Sequence, residues 1–462
     1  MRDIAAGWSA WNASLDKRGA EIFWNCLNAI KKAGGRPFLV GGQVRDLLRG
    51  KGAKDVDVEV FGLSVAELEL VLARFGQVDL VGKAFGVLKL HGMGEVDFSV
   101  PRRDNKVGVG HKGFEVECDP SMTTMDAARR RDLTINSMSL DPFTLELVDP
   151  FNGMRDLEAG LLRATDSETF LEDPLRALRV AQFVSRFNFR ADDSLVELCK
   201  RADLSQLPGE RVFTEFEKLL VKGQHPRRGM QFLADADLVR FFPELDALRN
   251  CEQDKEWHAE GTVWNHTLLC LDAARQLTDS SVVMWAVLCH DLGKPSTTLF
   301  EDGHLRSRGH EEAGEEPTRS FLGRVKVSRE LMEAVVALVV SHLAPTHFFK
   351  TNAGPAGFRR LARKLALAGT DMLSLEAVAR ADHFGRDAAN VDSPRMVDWF
   401  HSEAARLQVS VKDEDDVVKG RHLLARGFQP GPFVGEVLRK CREFQFETGE
   451  KDPDKILDSV LK

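Results

Sequence analysis

The sequence predicts an α+β chain with a small sheet near the N-terminus and a long helical remainder. Three observations lead there. Strand-like runs with period-two alternation cluster between residues 36 and 148. From about residue 160 onward such runs vanish, and apolar residues recur at helical spacing. At 462 residues the chain has room for two to four domains, so the two regions need not share one core.

Residues 1–35 read as one or two helices ending at Gly34-Gly35. Phe38-Leu39-Val40 is a short apolar strand, Gly41-Gly42 a turn, and the segment from Val44 the start of a helix. The next strand, Asp55-Val56-Asp57-Val58-Glu59-Val60, alternates strictly. That puts Asp55, Asp57 and Glu59 on one face and the valines on the other. Two aspartates two apart hold like charges side by side, which is unfavourable unless a cation lies between them. Paired Mg²⁺ ions that clamp the attacking and leaving oxygens of a phosphoryl transfer need that arrangement. Bare backbone at Gly41-Gly42 would let a triphosphate come close. Spacing alone divides evenly between this reading and an edge strand with a solvated acidic face.

A helix is expected over 65–74, with Leu68, Val71, Leu72 and Phe75 on one side, then strands near 78–81, 85–90 and 95–100. The last carries Asp97, a third carboxylate able to complete a metal site begun by Asp55 and Asp57. Residues 101–120, rich in Gly and basic side chains, read as a mobile loop. Arg129-Arg130-Arg131 would be costly to bury without anions, and phosphates are natural partners; a solvated basic helix end is the plain alternative. A short strand pair follows around 140–148.

In the helical remainder, Asp173 stands as N-cap with Pro174 at the first helical position. Asp173 and Arg176 then share one side, an acceptor and a planar donor that could read a base edge or simply form a surface salt bridge. Helical periodicity continues over 194–202, 212–221 and 230–238. Further helices are expected over 266–277 and 282–292. Along them and beyond come His266, His290-Asp291, His310, His342 and Asp382. Imidazole and carboxylate groups in that order on several helices suit one or two divalent transition metals. Arg359-Arg360 and Arg363-Lys364 are candidates for an RNA-binding face, or an ordinary solvated one.

Net charge is −8, which does not advertise a nucleic-acid binder but leaves room for a local basic face. Seven scattered cysteines without a CxxC pair suggest reduced, buried thiols and a cytoplasmic setting. No apolar run approaches the length of a membrane-spanning helix, and Met1–Asp16 lacks a signal-peptide pattern.

Three motifs carry a resemblance. Gly41-Gly42-Gln43-Val44-Arg45-Asp46-Leu47-Leu48 with Asp55-Val56-Asp57, then Arg130-Arg131-Asp132-Leu133-Thr134-Ile135-Asn136, then Glu172-Asp173-Pro174-Leu175-Arg176 occur in the order found in class II tRNA nucleotidyltransferases. That family holds CCA-adding enzymes and related bacterial poly(A) polymerases. Leu133 and Ser137-Met138 depart mildly from the usual Phe and Ala-Leu, and the 101–120 segment is longer and more basic than in relatives. The stretch from Trp257-His258 to His266-Thr267-Leu268, with Leu288-Cys289-His290-Asp291-Leu292-Gly293-Lys294, is similar to the HD phosphohydrolase domain that some of these enzymes carry.

The resemblance implies a palm-type nucleotidyltransferase head over 36–155 after N-terminal helices (1–35). It further implies a helical neck and body (156–250), an HD domain (251–395) and a helical tail (396–462). It implies Asp55 and Asp57 as Mg²⁺ ligands, with Asp97 beside them. Gly41, Gly42 and Arg45 would face the triphosphate, and Arg131, Asp132 and Asn136 the sugar and phosphates. Asp173 and Arg176, with Arg179 one turn on, would meet the base of CTP or ATP. The HD ligands would be His266, His290, Asp291, His310, His342 and Asp382, holding Mn²⁺ or Ni²⁺. The reaction implied is transfer of CMP and/or AMP to tRNA 3′ ends, with phosphoester hydrolysis at the second site. Two rivals stand beside it: a poly(A) polymerase, and a regulatory RNA- or nucleotide-binding protein with dead catalytic sites. The intact carboxylate and His-Asp clusters argue against the second rival.

Overall fold

A computed structural model describes residues 7–9, 11, 17–51, 56–81, 86–91, 96–106, 114–386 and 394–462. Asp55 lies outside them. The chain groups into two compact units, residues 1–207 with 235–238, and residues 208–234 with 239–462. The stretch expected as one neck and body, 156–250, is thus shared between the two.

In the first unit, helix Lys17–Lys32 leads into a seven-stranded sheet. Its strands are β1 (Arg36–Val40), β2 (Val56–Phe61), β3 (Val78–Val81), β4 (Val87–Leu90), β5 (Val96–Ser99), β8 (Ser139–Leu140) and β9 (Leu147–Val148), in spatial order β3-β4-β5-β2-β1-β8-β9. Only β2 and β5 run parallel; the other pairings are antiparallel. Val56, Val58 and Val60 are buried as the alternation requires. Helix Val65–Leu72 is closed at its start by reciprocal bonds between Ser64 and Glu67, a capping box that the sequence Ser-x-x-Glu encodes.

Three expectations change here. The segment read as a mobile loop contains an antiparallel pair, β6 (Arg102–Lys106) with β7 (Phe114–Cys118). Its arginines and glycines masked a Phe-Glu-Val-Glu-Cys alternation. Strands do not end at residue 160: Leu161–Leu162 pairs with Arg190–Ala191, and Thr298–Glu301 with His304–Ser307. Pro174, not Asp173, is the N-cap of helix Leu175–Phe187 and stands one residue before it; Asp173 lies one residue earlier, its Oδ1 accepting from the Leu175 N–H at 3.2 Å.

In the second unit, helices Val263–Leu277, Ser281–Cys289, Arg329–Val339 and Met372–Phe384 pack on one another. The stretch Arg329–Thr351 is apolar enough by composition to cross a membrane, but half of it is buried in the fold. A turn at 340–343 breaks it into two helices. The tail has a small core of its own, in which Val437, Cys441, Ile456 and Leu457 meet. The candidate RNA-binding arginines are used to hold that tail. Arg359 bonds Glu414 and the Phe446 carbonyl, Arg360 pairs with Glu443, Arg363 with Asp413, and Lys364 donates to Ser341. Arg359 and Arg363 are thus committed to ion pairs, while Arg360 and Lys364 remain exposed.

Candidate active sites

The first site gathers the three motifs. Gly41, between β1 and helix Gly42–Leu48, has φ +76°. A Cβ there would lie 3.1 Å from an Arg131 guanidinium nitrogen and 3.7 Å from Asp57 Oδ2. Backbone, carboxylate and guanidinium therefore converge at one point that only glycine leaves open. At Gly42 a Cβ would meet the Arg45 guanidinium at 3.3 Å.

Asp57 is exposed and stands directly opposite Asp97 in the parallel β2–β5 register. Like charges directly opposite are destabilising without a cation. Part of that cation is internal, since Lys89 on β4 lies 3.2 Å from Asp97. Asp97 Oδ1 is the oxygen that Lys89 meets. A second carboxylate facing that pair leaves net negative charge, which fits a hard divalent ion.

Glu59, one alternation step along, is 2% exposed. It takes Arg130 at 2.8 Å and Arg131 at 3.5 Å. Burial alone would raise its pKa; Arg131 and Arg130 outweigh burial and hold it below the ordinary value. So a protein carboxylate, not a phosphate, is the first partner of two of the three arginines, and Glu59 is no part of a solvated acidic face.

A buried polar chain joins the motifs. Arg45 forks onto Asp46 and donates to Asn136 Oδ1 at 2.6 Å. Asn136 Nδ2 donates to Asp132 Oδ1 at 3.0 Å, and Arg179 Nε donates to Asp132 Oδ2 at 2.7 Å. Burial would raise the Asp132 pKa, but Arg179, Asn136 and the Leu133 N–H together lower it to about 2. The Arg45 guanidinium also lies 4.7 Å from the Phe187 ring centre. Arg176 is held by backbone: its guanidinium donates to the Thr169 and Arg130 carbonyls at 2.8 and 2.6 Å.

The second site is deeper. His266, His290, Asp291, His310 and His342 are all buried, and Asp382 is 16% exposed at its side chain. Each imidazole has Nδ1 against an acceptor: Glu260 for His266, and the Val287, Ser307 and Val339 carbonyls for His290, His310 and His342, all at 2.7–2.9 Å. Those contacts fix each ring and turn its Nε2 inward. The Nε2 atoms of His310 and His342 are 3.2 Å apart. Asp291 lies between the groups, Oδ2 at 3.3 Å from His290 and Oδ1 at 3.3 Å from His310. Asp382 Oδ1 is 3.0 Å from His266 and 4.0 Å from His290. Asp291 is fully buried, and its Oδ2 also lies 2.7 Å from Lys294 Nζ. Burial, with His290 and His310 beside it, pushes His342 down to about 3, while at His290 Asp291 and Cys270 outweigh burial and push the imidazole up to about 10. Imidazole nitrogens and carboxylate oxygens converging in a buried cluster fit one or two divalent metals, which His266, His290, Asp291, His310, His342 and Asp382 would hold.

Sequence reasoning missed several contributors. Lys294 Nζ is 2.7 Å from Asp291 and donates to Gln253; its signal was the His-Asp-x-x-Lys spacing. Glu260 bonds both His258 and His266, and its signal was its place six residues before His266. Cys270 was assigned no part in the site. The hairpin 298–307 brings Arg306 to a cleft of about 380 Å³ beside Asp291, His310, His342 and Asp382, with Arg308 and Arg386 also lining it. Trp257 flanks the cleft, half-exposed, stacked on His304 at 5.2 Å.

Comparison with known proteins matches both regions of the chain. Residues 37–163 match the Poly A polymerase head domain, 195–249 the probable RNA and SrmB-binding site of polymerase A, and 263–386 the HD domain. A "Multifunctional CCA protein" of Xanthomonas euvesicatoria is 34% identical over 416 residues, covering 88% of this chain and 96% of that protein. The chain belongs to the multifunctional CCA protein family. It is a nucleotidyltransferase with a fused HD domain. Another family member, from Nitrosococcus oceani, is 36% identical over 66% of this chain and 74% of its own length. The fold also matches solved structures. A Bacillus stearothermophilus CCA-adding enzyme in complex with CTP gives a TM-score of 0.67 at 20% identity, covering 96% of this chain and 98% of that one. A Thermotoga maritima CCA-adding enzyme complexed with tRNA gives 0.62 at 20%, covering 100% and 98%.

Proposed function

We propose that the first site transfers CMP and/or AMP from CTP and ATP to the 3′ end of tRNA, and that Asp55, Asp57 and Asp97 are its metal-binding carboxylates. The observation that carries this is the convergence of Gly41, Asp57 and Arg131, braced by the Arg45–Asn136–Asp132–Arg179 chain. Mg²⁺ bound at Asp55 and Asp57 would supply the charge that activates the 3′-hydroxyl and stabilises departing pyrophosphate. The chain's own residues position the reactants. Gly41 and Gly42 give a triphosphate close access to backbone, and Arg131 offers it a cation already oriented by Glu59. Asp132 and Asn136 set the angle of Arg45 and Arg179. Arg176, pinned by two carbonyls, cannot swing away, which suits a group that presents a fixed edge with Asp173 to a base.

At the second site the reaction is phosphoester hydrolysis with a metal of the Mn²⁺ or Ni²⁺ class. Arg306, Arg308, Arg386 and Lys294 make its cleft cationic, as a phosphate requires. The test of the first reading is incubation with tRNA lacking its last one, two or three nucleotides plus CTP and ATP. Growth should stop once the terminus is complete. Continued growth with ATP alone would make the chain a poly(A) polymerase, and binding without turnover would make it a regulatory protein.

A further inference from the structure

Cys270 sits one helical turn after His266 on helix Val263–Leu277, so both side chains face the same way. Its Sγ lies 3.4 Å from His266 Nε2. The donor atoms of His266, Cys270, His290 and Asp382 all lie within 4.8 Å of one another. A tetrahedral metal with bonds of about 2.0–2.1 Å to nitrogen and about 2.3 Å to sulfur separates those atoms by about 3.5 Å. The observed spacing is therefore that of two ligands of one ion. The buried His290 Nε2 is aimed into the same group.

The packing holds the thiol there. Gly385 follows Asp382 by three residues, at the end of helix Met372–Phe384. A Cβ at Gly385 would fall 2.2 Å from Cys270 Sγ and 2.8 Å from its backbone nitrogen. Only a glycine lets the two helices close until the sulfur and the Asp382 carboxylate share one space. A weak thiol hydrogen bond to His266 would account for one contact. It would not account for the buried His290 Nε2 and the Asp382 carboxylate gathered at the same point.

We propose that Cys270 is a sulfur ligand of the HD metal on the His266–His290–Asp382 side, an inference that rests on the metal-centre reading above. On binding, the S–H bond breaks, its proton leaves to solvent and a metal–sulfur bond forms. Thiolate is a soft ligand, so this half of the centre prefers Ni²⁺, Co²⁺ or Zn²⁺ to Mn²⁺ or Mg²⁺.

The test is Co²⁺ loading of the full chain, read by absorption. Wild type should show visible bands of bound Co²⁺ and a near-ultraviolet sulfur-to-cobalt charge-transfer band. Cys270→Ser should keep bound Co²⁺ and lose the charge-transfer band, whereas Cys199→Ser, in the other unit, should keep both. X-ray absorption of the wild type should show one sulfur at about 2.3 Å, a readout independent of any variant's folding. Bound Co²⁺ without the charge-transfer band, or a band that survives Cys270→Ser, would overturn the assignment of the cysteine alone. No retained Co²⁺ in the wild type would overturn the metal centre itself.

Discussion

Asp132→Asn tests whether the buried polar chain holds the first site together. The carboxylate is 7% exposed, yet Arg179, Asn136 and the Leu133 N–H keep it ionised, with its pKa lowered from 3.8 to about 2. At about 1.36 kcal/mol per tenfold, that difference contributes about 2.5 kcal/mol of folding stability at neutral pH. The folded pKa is depressed, so the contribution is complete above about pH 4 and is lost as pH falls toward 2. An asparagine would keep the shape but turn an N–H toward the Arg179 donor or lose its bond to Asn136. Urea unfolding should therefore show the variant less stable by about 2.5 kcal/mol at pH 7, with the gap narrowing below pH 4 as wild-type Asp132 also becomes protonated. Nucleotide KM should rise at neutral pH, because Arg45 and Arg179 lose their brace. A stability gap that is absent at pH 7, or equally large at pH 7 and pH 3, would refute the electrostatic account.

Other outcomes follow from named contacts. Gly41→Ala places a methyl against Arg131 and Asp57 at a left-handed φ, and should cut nucleotide incorporation at least about tenfold at a strain cost of about 1–3 kcal/mol; normal incorporation would remove this corner from the site. Replacing Arg130 and Arg131 together by Met leaves Glu59 buried and unpaired, and should destabilise the first unit by about 3–5 kcal/mol in denaturant titration. Arg359→Ala should loosen the tail, seen as faster proteolysis there, and leave the salt dependence of tRNA binding unchanged, since this side chain is committed to Glu414 and the Phe446 carbonyl. Treatment with a strong chelator followed by Mg²⁺ alone should restore nucleotide transfer but not phosphoester hydrolysis.

Much of this was legible because it is local. The alternation of Asp57 and Glu59 with valines put strand β2 in place, and the same pattern at Asp97 supplied its neighbour. The order His266, His290-Asp291, His310, His342, Asp382 anticipated a cluster that the structure does assemble. What stayed hidden depends on partners far along the chain. A run of arginines states a charge but not its counter-ion, so Arg130 and Arg131 read as phosphate grips when Glu59, about seventy residues earlier, already holds them. Arg359 and Arg363 read as an open basic face for the same reason. Strand Phe114–Cys118 was lost under the Gly-rich composition around it, and Cys270 passed as one more buried thiol because its nearness to Asp382 depends on a glycine more than one hundred residues away.

On the proposed reading, one chain carries two chemically independent phosphate centres. The direct measurement assays both activities, nucleotide incorporation into truncated tRNA with Mg²⁺ and phosphoester hydrolysis with Ni²⁺, on Asp57→Ala and His290→Ala. The account predicts that Asp57→Ala loses incorporation by at least about a thousandfold and keeps hydrolysis, while His290→Ala does the reverse. Loss of both activities in either folded variant, or retention of incorporation in Asp57→Ala, would contradict it.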